Sequence, residues 1–204
     1  MKIHDVAQGS PEWLALRAGI PTASEFDCLI TPAGKASTQS TRLLNECLAG
    51  WLGAMDEQYV SEWMERGTAM EAEARSYYEM DRGVDVSQVG FITWDNGNAG
   101  CSPDGLIGEQ KGLEVKCPKP STHIGYLLKG ELPTAYKPQV YGSMLITGFR
   151  EWDFMSYHPD LEPLIITVKW DDEYIGALSK LLNKFVAEML DARALLTQRL
   201  ARAA

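Results

Sequence analysis

Three residues in the middle of the chain have the types and spacing to do chemistry together: Asp104, Glu114 and Lys116. They fall on two short apolar runs, Gly105-Leu106-Ile107 and Leu113-Glu114-Val115, joined by the turn-rich Gly108-Glu109-Gln110-Lys111-Gly112. Read as a hairpin, this stretch puts Asp104 at the start of one strand, across from Glu114 on its partner. Side chains alternate along a strand, so Glu114 and Lys116 share a face while Val115 points the other way, into the core. Two acids and a cation around one small space suit a hard divalent cation. Carboxylate oxygens bind Mg²⁺, and the ammonium steadies an anionic nucleophile or a phosphate oxygen.

The elements that must hold this hairpin read as helices and strands in alternation. Ser10 caps a helix with Pro11 in its first turn, and Gly19 ends it. Thr22-Ala23-Ser24-Glu25 is a capping-box start for the next, with Phe26, Leu29 and Ile30 as its apolar side. Arg17 thus sits just before a helix N-terminus, where its guanidinium, the Ser24 hydroxyl and exposed N–H groups suit a phosphate. A surface arginine beside an ordinary cap is the plainer reading of the same residues. A helix from Thr41 to Trp51 belongs to the core through Leu43, Leu44, Cys47, Leu48 and Trp51, and one around Gly67–Arg75 carries Met70, Ala74, Tyr77 and Tyr78 as an apolar stripe. Glu71 lies beside that stripe and, taken alone, reads as a solvated helix charge.

After Gly83 the period changes. Val84, Val86, Val89, Phe91, Ile92 and Trp94 predict strands, Asn96-Gly97 a tight turn, and the section ending at Lys116 a mostly antiparallel meander. Ser121 or Thr122 is expected to cap a helix through Leu128, and Tyr136–Ile146 to form another with Lys137, Pro138 and Gln139 in its first turn. Strands at Trp152–Tyr157 and Leu164–Trp170 follow, then a long helix from Asp171 with Ile175, Leu178, Leu182, Phe185, Met189 and Leu196 as a core or partner-facing stripe. Helices flanking a central sheet give an α/β class.

At 204 residues and 45% hydrophobic content, the chain suffices for one well-buried domain over 1–204. Neither a signal-peptide core nor a membrane-length apolar run is present, so a soluble, cytoplasmic protein is expected. The four cysteines, Cys28, Cys47, Cys101 and Cys117, form no CxxC pair and read as buried free thiols rather than a zinc site or disulfide framework. A net charge of −9 argues against indiscriminate coating of DNA, while an enclosed basic groove is compatible with it.

Pro103-Asp104 followed by Glu114-Val115-Lys116 matches the PD-(D/E)xK nuclease pattern. Five blocks stand in order, the third and fourth holding the pattern itself: Trp13 to Glu25, Arg66 to Arg75, Ser102 to Gly105, Leu113 to Pro118, and Pro138 to Met144. On these blocks the chain resembles the phage lambda-type exonucleases, also grouped as viral alkaline or recombination exonucleases. The resemblance implies a restriction-endonuclease-like core with a central mixed sheet. It implies metal binding by Asp104, Glu114, Glu71 and the main-chain carbonyl of Val115, with Lys116 at the catalytic water and scissile phosphate and Gln139 beside them. Arg17 and Ser24 match positions that hold the 5′-phosphate of the shortened strand. Also implied are two Mg²⁺ per site, with Mn²⁺ able to substitute, hydrolysis of linear double-stranded DNA from a 5′ end to mononucleotides, a ring-shaped homotrimer, and a single-strand annealing recombinase as partner. A phage or prophage gene acting in the bacterial cytoplasm fits this set. Lys35, Arg42, Lys119, Lys129 and Lys137 are candidates to line a DNA channel. An endonuclease of the same fold and a non-catalytic DNA-end-binding module are the competing readings, with a small-molecule-binding domain a remote third. The scattered cysteines count against an iron–sulfur relative, and the intact Asp104, Glu114 and Lys116 against a module that only binds.

Overall fold

In a computed structural model, residues 1–54 and 62–203 are described, those of 62–69 and 203 by their backbone alone. The strands form two sheets instead of one meander. In the first, β1 (Lys2–His4), β2 (Phe91–Thr93) and β3 (Gly100–Cys101) pair antiparallel in that order. The second holds β4 (Gly105–Ile107), β5 (Lys111–Lys116), β6 (Glu151–Ser156) and β7 (Leu164–Lys169), with β5 and β6 parallel and the other pairs antiparallel. The break falls at Ser102-Pro103-Asp104, where Pro103 has no N–H to give a ladder. The strand expected across Val84–Val89 is reduced to one bridge, in which Ser87 and Leu106 exchange two 2.8 Å backbone bonds. Asn96-Gly97 does turn the chain between β2 and β3, and Gly97 alone takes the left-handed conformation, at φ +73°.

Alternation along β6 divides the core. Trp152 and Phe154 face α5 (Lys137–Thr147) and α6 (Asp172–Ala203), whose Val140, Met144, Leu178 and Leu182 bury against them. On the other face Met155 and Tyr157 join Leu113 and Val115 of β5 beneath Ala74 and Tyr78 of α3 (Glu62–Arg82). Glu114 and Lys116 therefore point towards the α5 side, as the alternation rule requires. Parallel strands need a long crossover, supplied here by α4 (Pro120–Lys129) followed by α5. Neither Ser121 nor Thr122 caps α4: Pro120 opens it, its fixed φ preforming the first turn, and the cap position is Lys119 with no side-chain cap bond.

The N-terminal elements follow their sequence signals more closely. Ser10 accepts the Trp13 N–H at 3.2 Å and opens α1 (Pro11–Arg17). The Thr22/Glu25 capping box forms, but on a six-residue 3-10 helix, Ala23–Cys28, whose Phe26 is fully buried. α2 (Ser40–Trp51) buries Leu43 and Cys47 and leaves Trp51 partly exposed. None of the four cysteines is in a disulfide; Cys28, Cys47 and Cys101 are buried as expected, whereas Cys117 is only half-buried. Among the described residues no helix is long and apolar enough to cross a membrane.

Two packing contacts set the frame of the hairpin. Gly142 of α5 lies against the 3-10 helix, where a Cβ would stand 2.4 Å from Cδ2 of Phe26. Gly142→Ala is expected to cost about 1–3 kcal/mol, read from chemical denaturation, because a filled contact must open. α3 is tied to β6 by Asp153, which is 1% exposed and accepts the Tyr78 hydroxyl at 2.6 Å while pairing with Lys111 at 2.8 Å. Asp153→Ala strands that buried hydroxyl; a loss of about 1–3 kcal/mol is expected in the same measurement.

Candidate active site

The hairpin forms with the expected register. The Asp104 N–H donates to the Leu113 carbonyl at 3.1 Å, and Gly105 pairs with Leu113, so Asp104 leaves the end of β4 opposite Glu114. Its carboxylate bends back to accept the Val115 N–H at 2.6 Å. On the neighbouring face, Oε1 of buried Glu114 pairs with Lys116 at 2.6 Å and accepts the Gln139 side-chain amide at 2.5 Å. Gln139 reaches this point from the first turn of α5, immediately after Pro138. The Lys116 carbonyl accepts the Tyr157 N–H from β6. Carbonyls alternate between the two edges of a strand, so that of Val115 faces the edge from which Asp104 approaches.

Glu71 arrives from the opposite side. It lies two turns before Tyr78 on α3, and with Asp104 it lines a cavity of about 470 Å³ that also takes in Gln8, Arg75 and Gln88. Asp104 is thus common to two cavities. The second, about 160 Å³, is lined by Asp104, Glu114, Lys116 and Gln139 together with Trp13, Arg17, Ser24 and Ser102. The seven side chains expected at the metal, the scissile phosphate and the 5′-phosphate therefore line two adjoining spaces, while the Val115 side chain stays in the core.

Burial dominates the electrostatics of these acids, with Lys116 and Arg75 as the cations that oppose it. Burial, and then Asp104, push the Glu71 carboxyl up to about 7, with Lys116 opposing. Burial also raises Asp104 and Glu114, again against the pull of Lys116. Burial works against the Lys116 charge, yet Glu114 and Asp104 outweigh it and hold the ammonium above its usual value. An ammonium held in its charged form suits orientation and charge rather than proton abstraction. Oε2 of Glu114 is buried with no hydrogen-bond partner among the described residues. An orphaned carboxylate oxygen, two more acids whose charge is suppressed chiefly by burial, and a main-chain carbonyl have the chemistry of a hard-cation donor set. Among the described residues no three Asp, Glu, His or Cys side chains close a cage by themselves, so main-chain oxygen and solvent belong in any such shell.

Arg17 also lines the smaller cavity. Its guanidinium stacks on Trp13, 4.3 Å from the ring centre, and donates to the hydroxyls of Ser102 at 3.1 Å, Thr22 at 3.2 Å and Ser24 at 3.5 Å. Among the described residues no carboxylate pairs with it, and burial lowers its pKa, with Glu25 opposing. An arginine surrounded by hydroxyls and lacking an ion pair is suited to an incoming anion. The helix N-terminus expected to assist contributes less: a six-residue 3-10 turn lacks a long helix's aligned dipoles, and Glu25 already accepts the Thr22 N–H at 3.1 Å.

Ser102, Trp13 and Gln8 were not assigned roles from the sequence. The Trp13 indole N–H lies 3.0 Å from both the Ser102 hydroxyl and the Gly90 carbonyl. Gln8 donates to the carbonyls of Pro103 and Val89, fixing the turn that precedes Asp104. Ser102 carries a usable signal, its position beside Pro103-Asp104; Gln8 carries none. None of Lys35, Arg42, Lys119, Lys129 and Lys137 lines either cavity. Arg42 pairs with Glu46 at 2.8 Å, and the Lys137 ammonium lies 4.4 Å over the Tyr174 ring.

Comparison with known proteins places this geometry. No curated protein sequence matches the chain. An alkaline exonuclease, LHK-Exo from Laribacter hongkongensis, superposes with a TM-score of 0.84 at 30% identity, covering 96% of this chain and 100% of that one. The same exonuclease solved in complex with dAMP gives 0.83 at the same identity and coverage. A phage-related exonuclease from Haemophilus somnus 129PT shares the fold, with a TM-score of 0.63 at 14% identity over 88% of this chain and 99% of that one. The model of the YqaJ-like viral recombinase domain matches residues 12–150, a span that holds Arg17, Ser24, Glu71, Asp104, Glu114, Lys116 and Gln139. The chain belongs to the YqaJ-like viral recombinase family and is a nuclease of the phage exonuclease type.

Proposed function

We propose that the protein is a Mg²⁺-dependent 5′-to-3′ exodeoxyribonuclease. It degrades one strand of linear double-stranded DNA from a 5′-phosphorylated end, releases mononucleotides and leaves 3′ single-stranded DNA for annealing-type recombination. One observation carries this reading: Arg17, which has no carboxylate partner among the described residues, and the Asp104–Glu114–Lys116 cluster line the same small cavity. At about 160 Å³ that space is below the roughly 300–1,000 Å³ of pockets that enclose a whole small ligand, but it admits phosphate groups. A terminal phosphate at Arg17 and Ser24 then sets which bond reaches the carboxylates. Cleavage there frees one nucleotide and makes a new 5′-phosphate, so each product end is again a substrate end. A relative solved with dAMP, a mononucleotide, supports this product class.

Asp104, Glu114, Glu71 and the Val115 carbonyl would hold the metal, two Mg²⁺ per site with Mn²⁺ as a substitute. Bound there, the metal supplies an activated water and charge on the leaving 3′-oxygen. Lys116 orients the scissile phosphate and faces the negative charge that grows on it. Gln139 holds the Glu114 carboxylate in place through Oε1, leaving Oε2 free for the site. A homotrimeric ring around the duplex, with an annealing recombinase taking the exposed strand, completes the proposal and reconciles the net charge of −9 with DNA binding.

The test incubates a linear duplex and a covalently closed circle of the same sequence with Mg²⁺, with Mn²⁺ and with EDTA. Mononucleotides from the linear duplex, an intact circle and silence in EDTA are expected. Rapid cutting of the circle would establish an endonuclease instead, and binding without products under any metal a DNA-end-binding module.

A further inference from the structure

Arg17 and Ser24 are separated by a short turn, Ala18 to Pro21, and the structure holds that turn from a distant part of the chain. Gly19 sits in the turn at φ +84°, packed so closely on α2 that a Cβ would stand 2.8 Å from Cβ of Trp51 and 2.9 Å from its Cα. The Gly19 carbonyl accepts a hydrogen bond from Nη2 of Arg193, on the last third of α6. The same guanidinium lies 5.5 Å over the Trp51 ring. One side of the turn is thus closed by Trp51 and Arg193, while on the other Gly100 donates to the Pro21 carbonyl at 3.2 Å.

For α6 packing alone this arginine is a poor choice. Among the described residues it has no carboxylate partner and its buried Nε no hydrogen-bond partner, and burial lowers its pKa. Burying a cation so incompletely satisfied costs free energy that an apolar side chain of similar size avoids. Apart from the Met189 sulfur one turn earlier on α6, at 3.5 Å, its side chain meets the Gly19 carbonyl, in the turn between Arg17 and Ser24, and the Trp51 ring that packs on that turn.

We infer that Arg193 is a positioning residue for end recognition: through the Gly19 carbonyl and Trp51 it fixes the spacing of Arg17 and Ser24, and so sets the preference for a 5′-phosphate. The inference rests on the proposed reading of Arg17 and Ser24 as the phosphate pocket. It gives α6 a part in choosing the substrate end, although it touches neither substrate nor carboxylates.

The test compares full-length wild type, Arg193→Met and Arg193→Lys on otherwise identical duplexes ending in 5′-phosphate or 5′-hydroxyl. Equilibrium binding in EDTA is measured beside kcat/KM, so that one readout is independent of turnover. Misplacing a binding group by about an ångström is costly, and Arg193→Met is expected to lower the phosphate-to-hydroxyl ratio about tenfold in both readouts. Arg193→Lys, which keeps the charge but loses the fork, should fall between. Gly19→Ala disturbs the same turn from the Trp51 side and should also lower the ratio, which covers the case of an Arg193→Met protein that fails to fold. A ratio within twofold of wild type in folded Arg193→Met, or an equal loss on both ends that follows the thermal midpoint, would overturn the inference. Arg17→Ala run in parallel separates the two levels: an unchanged ratio there sinks the phosphate pocket itself, whereas a lowered ratio with Arg193→Met at wild-type level sinks the positioning role alone.

Discussion

Asp104→Ala is expected to lower strand degradation by about 10³-fold or more, because it removes the carboxylate that both cavities share. The same change leaves the Val115 N–H without its acceptor, so a structural explanation has to be separated from an electrostatic one. Asp104→Asn makes the separation: the amide oxygen can still accept from Val115, while the charge is gone. A loss of similar size with an unchanged thermal midpoint would assign the effect to the charge. Lys116→Ala should also abolish turnover, and for a related reason. It leaves Glu114 buried without its 2.6 Å partner and takes away the cation that faces the scissile phosphate. Binding of a 5′-phosphorylated duplex in EDTA is expected to survive Asp104→Asn, since removing a negative charge near phosphate does not weaken the attraction. Loss of binding and cleavage together in Asp104→Asn would show that the site had collapsed.

Arg17→Ala is expected to act on a different quantity. A hydrogen bond to a charged group contributes roughly 1.5–3 kcal/mol, so the preference for a 5′-phosphate over a 5′-hydroxyl should fall by about 10- to 100-fold. Cleavage of a 5′-hydroxyl end should change far less, because that substrate lacks the partner. Arg17→Lys keeps a positive charge but cannot donate from two arms at once to a phosphate and the surrounding hydroxyls, and it loses the stack on Trp13. An intermediate preference is expected. Measurements are best made at fixed, moderate ionic strength, since salt screens the nonspecific phosphate contacts that would dilute the ratio. An unchanged preference in Arg17→Ala would leave the pocket without a function in end recognition.

How much of this was visible in the sequence depended on the range of the interaction. The hairpin is local: two apolar runs and a turn place Asp104 opposite Glu114, and the alternation of side chains puts Lys116 beside Glu114, as found at 2.6 Å. Glu71 is different. Nothing in its own helix marks it, since its partner Asp104 is reached only when α3 packs over β5 on the face opposite Glu114. Only resemblance to a family, not helical periodicity, distinguished it from a solvated charge. The division into two sheets escaped for a similar reason, because Pro103 marks an interruption without saying which sheet the next strand will join. The parallel pairing of β5 with β6 depends on a crossover through α4 and α5, and strand periodicity does not encode a partner. Arg193 is the extreme case, a basic residue late in an amphipathic helix whose contact is a main-chain carbonyl 174 positions away.

The most direct test of the proposed activity uses one duplex with a 5′-phosphate on one strand and a 5′-hydroxyl on the other, each strand carrying its own label near the 5′ end. In Mg²⁺ the phosphorylated strand should release its label first, as mononucleotide, while the other strand persists as a single-stranded product. Equal loss of both strands, release beginning at the 3′ ends, or labelled fragments from internal cuts would contradict recognition of the end by Arg17 and Ser24 followed by cleavage at Asp104, Glu114 and Lys116.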